Sequence, residues 1–472
     1  MSNVTPQIPP HAWTLLRTSR YVLRAPLVLL AGLETSILAA IPTIASAILS
    51  GHFATPSAYA AVAYAVPNLV ALLAMGLYSR RQRARFVGIF LRLMAAVAAG
   101  AAVVALQSYL FPLISIPRPV LLLGGPFAFL VLTGVRYGFE TLVNEDLFKR
   151  RVLVYGAGRR ALSISQLRRR TDTRGFLTVG FVLSAGDHSL VPPDRLVEPT
   201  SGLLNFCRVH QVDEIVVAMD DRRRSFPVHE LLECRLAGIS VPDLVDFLET
   251  ESGKVRLDVL NPSWLIFSSG FSRGPFRQFT ERSLDVFASV VLLSLAWPFM
   301  LLAAAAIKLE DGFAAPILYS QLRVGFEGRR IRVFKFRSMR TDAETPGKAV
   351  WALESDPRAT RVGGFLRKTR IDELPQLINV IRGDMSFVGP RPERPEFVQE
   401  LEQTVPYYRE RHTVKPGLTG WAQLCYPYGA SVQDATEKLQ YDLYYVKNHS
   451  LLFDVMILLQ TVEVILWGKG AR

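Results

Sequence analysis

The sequence contains few cysteines, and their spacing excludes two kinds of site. Three cysteines occur among 472 residues, and they form neither a Cys-x-x-Cys motif nor a cluster with histidine. Disulfide frameworks and structural zinc sites need paired or clustered cysteines, so neither is expected here and most of the chain should lie in a reducing, cytosolic environment. A cleavable secretion signal is not expected either, because the first apolar run begins only after three arginines and lacks a small-residue cleavage site.

Charged residues are scarce, and those present are unbalanced in sign. Only 20% of the residues are charged while 50% are hydrophobic, and the mean hydropathy is +0.23. Such a composition favours a chain that meets lipid. The 54 Lys and Arg against 41 Asp and Glu give a net charge of +13, which suits nucleic acid, an anionic membrane surface or a phosphorylated substrate. The apolar excess favours the last two and argues against a nucleic-acid partner.

Four apolar segments of membrane-spanning length precede residue 150, at 26–49, 57–77, 86–111 and 119–135. Cationic residues lie before the first segment, between the second and third, and after the fourth, whereas the other two loops contain only Arg118. The positive-inside rule therefore predicts a four-helix transmembrane domain at 1–148 with both ends in the cytoplasm. A buried helical core is the alternative, but a soluble core would not segregate its arginines into alternate loops.

The pattern then changes to alternating strands and helices. Strands are predicted at 151–155, 177–183 and 214–218, and a helix at 159–170. This alternation predicts a Rossmann-like α/β domain at 149–250, followed by a linker at 251–275.

A glycine turn follows the first of these strands. Gly156-x-Gly158-x-x-Ala161 matches the dinucleotide-binding fingerprint with alanine in the third place. However, no acid stands at the end of the second strand, since Asp187 comes late, and no Tyr-x-x-x-Lys pair occurs. Catalysis by this domain is therefore not expected. A structural or regulatory role is favoured, nucleotide binding is the alternative, and no cofactor-binding residue is assigned.

The densest chemistry lies at Asp372-Glu373, just before Pro375 in the first turn of a helix predicted to end at Gly383. The free N–H groups and the dipole of a helix N-terminus favour negative charge there. Two adjacent carboxylates so placed could keep one as an ionised nucleophile and lend the other to a divalent cation, which suits phosphoryl transfer. Ordinary helix capping is the alternative.

Four cations accompany this pair in the sequence. Lys335 and Arg337 are predicted to project from one face of a strand at 331–339, and Arg391 and Lys415 stand in rigid Pro/Gly turns. Such turns suit the binding of a diphosphate, because arginine can bind phosphate oxygens bidentately. A solvated basic face is the alternative for each cation taken singly.

Residues 276–472 closely resemble the bacterial sugar transferases, the monotopic phosphoglycosyl transferases that start glycan assembly on polyprenyl phosphate. The motifs that carry the resemblance are Pro316–Gly325, Lys335–Met339, Asp356–Arg358, Asp372-Glu373, Pro390–Pro392 and Tyr441–Tyr445. The four apolar segments and the glycine-turn domain are similar to the N-terminal half of the large members, which initiate exopolysaccharide or O-antigen repeat units. A homodimer would be in keeping with those large members.

The resemblance implies transfer of hexose 1-phosphate from a UDP-sugar to undecaprenyl phosphate, with release of UMP. It implies that Asp372 is the nucleophile that forms a covalent phosphosugar intermediate and that Glu373 is a Mg²⁺ ligand. Lys335, Arg337, Arg391 and Lys415 would bind the donor. Two alternatives stay open: a membrane-tethered nucleotide-sugar dehydratase or epimerase that holds NAD at the glycine turn, and a scaffold for capsule assembly that releases no UMP.

A fifth long apolar stretch, at 284–307, is interrupted by Trp297-Pro298. Its length alone predicts a span, but a fifth span would carry Asp372 to the side of the membrane where UDP-sugars are absent. Pro298 cannot donate a helical hydrogen bond and clashes with the preceding turn, so a bent, re-entrant hairpin is feasible.

The resemblance points the same way, because that family has a broken helix at this place, preceded here by Arg282 and Asp285. We therefore predict a catalytic domain at 276–472, of mixed α/β fold with a re-entrant membrane helix. The whole chain is predicted as a multi-pass protein of the bacterial inner membrane, with its active site facing the cytoplasm. The last apolar stretch, 451–467, is predicted as an amphipathic helix lying on the membrane.

Overall fold

A computed structural model divides the chain into two compact units, Met1–Gly253 and Lys254–Arg472. It describes residues 25–51, 58–78, 86–111, 116–142, 149–165, 175–184, 188–221, 226–260, 274–340, 358–426, 429 and 431–467. Asp187 and the motif residues Asp356 and Pro357 lie outside these ranges. So do the arginines used to assign the loop between the second and third apolar segments.

The first unit begins with four apolar helices, α1 Ala25–Ser50, α2 Ala58–Ala74, α3 Phe86–Leu110 and α4 Arg118–Leu142. Each corresponds to one of the four predicted apolar segments. Helices α1, α3 and α4 are long and apolar enough to cross a membrane, whereas α2 is a shorter apolar helix of 17 residues. The predicted block of four apolar helices is therefore present, and three of them are long enough to span.

A buried ion pair joins the first and last of these helices. The guanidinium of Arg136 lies 2.7 Å from Glu34 through Nε and donates to it through Nη2 at 2.8 Å. The same guanidinium donates to the carbonyl of Leu77 at 3.0 Å, and the hydroxyl of Tyr78 donates to Glu34. Charges inside an apolar helix block are costly unless they are paired in this way, so the pair fixes α1, the turn after α2, and α4 together.

The remainder of the first unit contains a parallel four-stranded sheet with helices between its strands. Its elements are β1 Arg150–Tyr155, α5 Arg159–Ser165, β2 Phe176–Val182, β3 Leu196–Val197, α6 Leu203–Val209, β4 Glu214–Val217, α7 Val228–Leu236 and α8 Leu244–Ser252. The strand order is β3-β2-β1-β4, and Val152 pairs with Thr178 on one side and Glu214 on the other. The three predicted strands lie within one residue of β1, β2 and β4. Residues 166–170 of the predicted helix lie outside the described ranges.

The second unit is a mixed α/β fold attached to a long apolar helix. Its elements are α9 Pro275–Asp311, β5 Leu318–Val324, β6 Arg330–Phe336, α10 Arg361–Thr369, α11 Gln376–Arg382, β7 Ser386–Val388, α12 Pro395–Thr404, β8 Gly417–Thr419, α13 Trp421–Cys425, α14 Val432–Asn448 and α15 Leu451–Trp467. Strands β5 and β6 form an antiparallel hairpin, and β7 pairs in parallel with β8. Helix α9 is a single helix of 37 residues that includes Pro298, so the re-entrant bend stays a prediction.

The second unit begins before the apolar helix. Val255 is fully buried, and its N–H donates to the carbonyl of Gln440 in α14 at 2.9 Å. Lys254 forms an ion pair with Glu437 at 2.7 Å. The segment predicted as a linker at 251–275 therefore contributes its residues 254 and 255 to the fold of the second unit.

We expect Gly156→Ala to destabilise the sheet of the first unit, because Gly156 has a φ of +125° and an added Cβ would lie 2.6 Å from the carbonyl of Ala218. Strain and crowding together should lower the free energy of local unfolding by about 2–4 kcal/mol. Hydrogen–deuterium exchange of the β1 and β4 amides in the full-length protein measures this change.

Gly238→Ala is the matched control for this substitution. Gly238 also has a positive φ, +94°, but no atom lies within 4 Å of an added Cβ. Only conformational strain should therefore be felt there, about 1 kcal/mol. If the two substitutions lowered the free energy of local unfolding equally, the close approach to Ala218 would not be the reason that Gly156 is required.

Candidate active site

The two candidate carboxylates lie in a short turn between two helices. Helix α10 ends at Thr369, and its C-cap, Arg370, has the left-handed φ of +61°. A 3-10 turn follows at Ile371–Glu373, here called the acidic turn. The next helix begins at Gln376, and its N-cap is Pro375, which makes no side-chain capping hydrogen bond. Asp372 and Glu373 therefore lie just before the N-terminus of that helix, in a 3-10 turn of their own. Three cations surround Glu373 there.

Three cations converge on one oxygen of Glu373. Its Oε1 lies 2.8 Å from Nη2 of Arg391, 3.0 Å from Nζ of Lys335 and 3.7 Å from Nη1 of Arg370. Burial alone would oppose ionisation, but the three cations outweigh it and hold the pKa of Glu373 well below its usual range. Glu373 is therefore an ionised carboxylate at neutral pH.

Asp372 has the opposite electrostatic character. It is 7% exposed, and its Oδ1 has no hydrogen-bond partner among the described residues. Burial, and then the charge of Glu373, raise the pKa of Asp372 to about 6, while the neighbouring cations limit the rise. A buried carboxylate with an unpaired oxygen beside three cations is a candidate nucleophile for an anionic substrate.

Lys335 reaches the acidic turn from strand β6, and a buried amide fixes this strand to α11. Asn379 donates from Nδ2 to the carbonyl of Arg332 at 2.7 Å, and its Oδ1 accepts from the N–H of Phe334 at 3.1 Å. Burial lowers the pKa of Lys335, while Glu373 opposes that change.

Neither Asn379 nor Arg370 could be identified from the sequence as part of the site. A bridging amide and a single exposed arginine produce no recognisable motif.

Two of the four cations predicted to bind the donor have other described partners. Arg337 is buried and donates from Nη2 to Asp311, at the end of α9, and two of its guanidinium nitrogens have no partner among the described residues. Lys415 is half-buried and acts electrostatically on Asp285. The structure thus brings Lys335 and Arg391 to the acidic turn, and no described contact joins Arg337 or Lys415 to it.

The start of α9 is bound to the segment that follows the acidic turn. Arg282 donates to the carbonyl of Val380 at 2.6 Å and to that of Ile381, at the C-terminal end of α11, where cations are favourable. Asp285 accepts from the hydroxyl of Ser386 at 2.9 Å and from the N–H of Phe387 at 2.8 Å. Arg282 and Asp285 therefore each hold the connection between α11 and β7.

The other end of α9 is bound to the same unit. Glu310 accepts from the first two N–H groups of α10, those of Arg361 at 2.8 Å and Val362 at 2.9 Å. Ile307 is buried in a cluster that includes Phe336 and Leu366. Both ends of the apolar helix are thus anchored to the elements that carry the acidic turn.

The acidic turn fits a metal ion only in the company of a phosphorylated ligand. Among the described residues there is no group of three His, Cys, Asp or Glu side chains that could hold a metal by themselves. Mg²⁺, however, is commonly bound by one or two carboxylates together with substrate phosphates. The unpaired Oδ1 of Asp372 and the adjacent carboxylate of Glu373 suit that mode.

In the first unit, the glycine turn after β1 is filled by a carboxylate of the chain itself. Asp220, after β4, accepts from the N–H of Arg159 and from the N–H of Arg160, both at 2.8 Å. In dinucleotide-binding folds these N–H groups bind the pyrophosphate, beside the strand next to β1. An internal anion on them favours the structural role of this turn over nucleotide binding.

The model of the bacterial sugar transferase family matches residues 276–468. The UDP-N-acetylgalactosamine-undecaprenyl-phosphate N-acetylgalactosaminephosphotransferase of Aeromonas hydrophila is 38% identical over 321 residues, 68% of this chain and 71% of the relative. The UDP-glucose:undecaprenyl-phosphate glucose-1-phosphate transferase of Escherichia coli (strain K12) is 31% identical, covering 70% of each chain. The exopolysaccharide production protein PSS of Rhizobium leguminosarum bv. phaseoli is 40% identical over 196 residues, 40% of this chain and 97% of the relative.

Proposed function

The chain belongs to the bacterial sugar transferase family, and we propose that it transfers a hexose 1-phosphate from a UDP-sugar to undecaprenyl phosphate with release of UMP. The observation that supports the proposal is the acidic turn with its three cations. It places a candidate nucleophile, Asp372, beside cations that can bind the phosphate groups of a donor. Relatives matched over about 70% of their length are sugar phosphotransferases acting on undecaprenyl phosphate. We assign the reaction to the initiation of exopolysaccharide or O-antigen synthesis.

The proposed chemistry has two steps. The carboxylate of Asp372 attacks the β-phosphorus of the donor, an oxygen–phosphorus bond forms, and the bond from that phosphorus to the bridging oxygen breaks as UMP leaves with both electrons. A phosphate oxygen of undecaprenyl phosphate then attacks the same phosphorus, and Asp372 leaves as a carboxylate. Each step inverts the attacked phosphorus, and the enzyme alternates between free and phosphosugar-bound forms, so ping-pong kinetics are expected.

The residues around Asp372 have separate tasks. Lys335, Arg391 and Arg370 lie where they can share their charge between Glu373 and the donor phosphates, which stabilises charge as it moves to the leaving group. Glu373, beside Asp372, would hold Mg²⁺ together with those phosphates, and the ion when bound offsets further charge on the diphosphate. Burial and the charge of Glu373 raise the pKa of Asp372, and the same three cations limit the rise.

The anchors of α9 support the proposed topology. A helix that crossed the membrane would leave its ends separated by about 30 Å of hydrocarbon, yet Arg282 and Glu310 both bind elements of one small fold. Between the anchors, Leu295, Phe299 and Leu302 are more than half exposed, which favours contact with lipid. We therefore propose that α9 enters and leaves on the cytoplasmic face of the bacterial inner membrane. A homodimer stays a prediction.

We expect Asp372→Asn to lower turnover by more than about 1,000-fold while the protein still folds and inserts. The amide keeps nearly the same shape and loses the nucleophilic oxygen. The measurements are UMP release from a panel of UDP-sugars with undecaprenyl phosphate, and the mass of the phosphosugar-bound protein.

Glu373→Gln should chiefly raise the Mg²⁺ concentration that is required for UMP release.

Glu396→Gln is the control for loss of a carboxylate, since Glu396 is exposed and its one ion pair among the described residues is a long surface contact, 3.5 Å, with Arg394. It should keep normal activity. UMP release by Asp372→Asn near the normal rate would rule out the covalent mechanism.

The pH profile should report the ionisation of Asp372. Its pKa is raised to about 6, and only the ionised form attacks, so kcat/KM of the free enzyme should fall as the pH falls through about 6. Glu373→Gln removes a charge that raises this pKa, and the acidic limb should therefore move to lower pH. Burial raises the pKa of Asp442 to about 6 as well, but the charges that shift it most are those of Arg411, Glu393 and Lys438. A limb that does not move would belong to Asp442.

Labelling of single cysteines should place both ends of α9 on the cytoplasmic side. Suitable positions are Ser283→Cys, near Arg282, and Phe313→Cys, near Glu310, in a chain whose own three cysteines are replaced by alanine. Both positions are exposed, so a membrane-impermeant maleimide should label both in inside-out vesicles and neither in intact spheroplasts.

Labelling of Phe313→Cys from the periplasmic side would show a true span and contradict the proposed topology.

Pro298→Leu restores a helical hydrogen-bond donor in α9. This substitution should push α9 toward spanning and lower activity.

A further inference from the structure

Arg391 is held in a loop whose carbonyl groups are all engaged. The Arg391 loop, Pro390–Glu393, contains two prolines and therefore lacks two N–H groups that could fix it. Instead its successive carbonyls accept bonds: Pro390 from the N–H of Gly417 at 2.9 Å, Arg391 from Arg411 at 3.0 Å and Pro392 from Arg323 at 3.2 Å.

The bond to the carbonyl of Arg391 itself comes from a buried guanidinium whose two terminal nitrogens are both engaged. Arg411 donates from Nη2 to that carbonyl and from Nη1 to the hydroxyl of Tyr408 at 2.6 Å. The same Nη2 lies 2.8 Å from the carboxylate of Asp442, and the side chains of this pair are 6% and 3% exposed. Removing both charges of such a pair from water costs free energy. Here the Arg411 guanidinium also bonds the main chain of Arg391, the residue that binds Glu373.

The surroundings leave the loop little freedom. A partly open pocket lined by the Arg391 loop and Arg411 has a water-accessible volume of about 10 Å³, enough for about one water molecule. A shift of the Arg411 guanidinium would therefore be transmitted to the carbonyl of Arg391 rather than absorbed by a void.

We propose that Arg411, oriented by Asp442, is a positioning residue for Arg391 in the transfer reaction. It acts through the main-chain carbonyl of Arg391 and so sets where the Arg391 guanidinium meets Glu373 and the donor diphosphate. This inference rests on the proposed function, in which Arg391 binds the donor.

A double-mutant cycle in the full-length protein tests the inference. Arg411→Lys keeps the charge opposite Asp442 and loses the fork that binds two acceptors at once. It should lower kcat/KM for the UDP-sugar about 100-fold, the size of effect a small misplacement produces. The change should appear in the same parameter, kcat or donor KM, that Arg391→Ala alters. In an Arg391→Ala background, Arg411→Lys should change kcat/KM by less than about twofold.

Equal fold losses from Arg411→Lys in both backgrounds would overturn the inference, because a loss of folding or stability acts whether or not Arg391 is present. Asp442→Asn, carried through the same cycle, should reproduce the non-additivity. Full activity of Arg391→Ala would refute the donor-binding role of Arg391 and the inference with it, so the two failures are distinguishable.

Glu437→Gln is the matched control for α14, the helix that carries Asp442. It removes the half-exposed ion pair between Glu437 and Lys254 on the same helix. Its kcat/KM should stay within about twofold in both backgrounds. A loss as large as that of Asp442→Asn would show that any disturbance of α14 is sufficient, which contradicts a specific path through Arg411.

Discussion

The candidate active site depends on one oxygen, Oε1 of Glu373, on which Arg391, Lys335 and Arg370 converge. Two adjacent carboxylates in a buried turn repel each other, so both cannot ionise freely. The cations resolve this conflict unequally, because they hold Glu373 ionised and leave Asp372 with a raised pKa. Two carboxylates with pKa values pushed apart by their surroundings take different chemical roles. The asymmetry of the turn therefore precedes any contact with substrate.

That asymmetry requires Lys335 and Arg391, both distant in the chain, to reach Glu373, while Arg370 is only three residues away. Lys335 comes from β6, Arg370 from the left-handed end of α10, and Arg391 from the loop after β7. Buried polar groups set the distances between these elements: Asn379 ties β6 to α11, and Asp285 ties α9 to β7. The apolar helix α9 and the acidic turn thus share the same supports, so the proposed membrane attachment would be coupled to the geometry of the turn.

The features that sequence could predict are those carried by local pattern. The membrane helices follow from apolar length, the strands β1, β2 and β4 from short apolar runs, and Asp372, Glu373, Lys335 and Arg391 from a recurring set of motifs. The others depend on long-range contacts. A non-glycine residue in left-handed geometry, such as Arg370, or a buried pair such as Arg411 and Asp442, leaves no periodic signal. Arg337 was predicted to share a strand face with Lys335, but β6 ends at Phe336. Strand alternation therefore does not fix the direction of the Arg337 side chain, which binds Asp311.

The glycine turn of the first unit shows why a fingerprint can be satisfied without its ligand. A Cβ at position 156 would clash with the carbonyl of Ala218, so this position requires glycine. A Cβ at position 158 would likewise clash with the carboxylate of Asp220. Both glycines are therefore explained by packing between β1 and the end of β4. The N–H groups that a pyrophosphate would use are already satisfied by Asp220. The same local sequence can thus serve an internal carboxylate or an external phosphate, and only the residue after β4, some 60 positions along the chain, distinguishes the two.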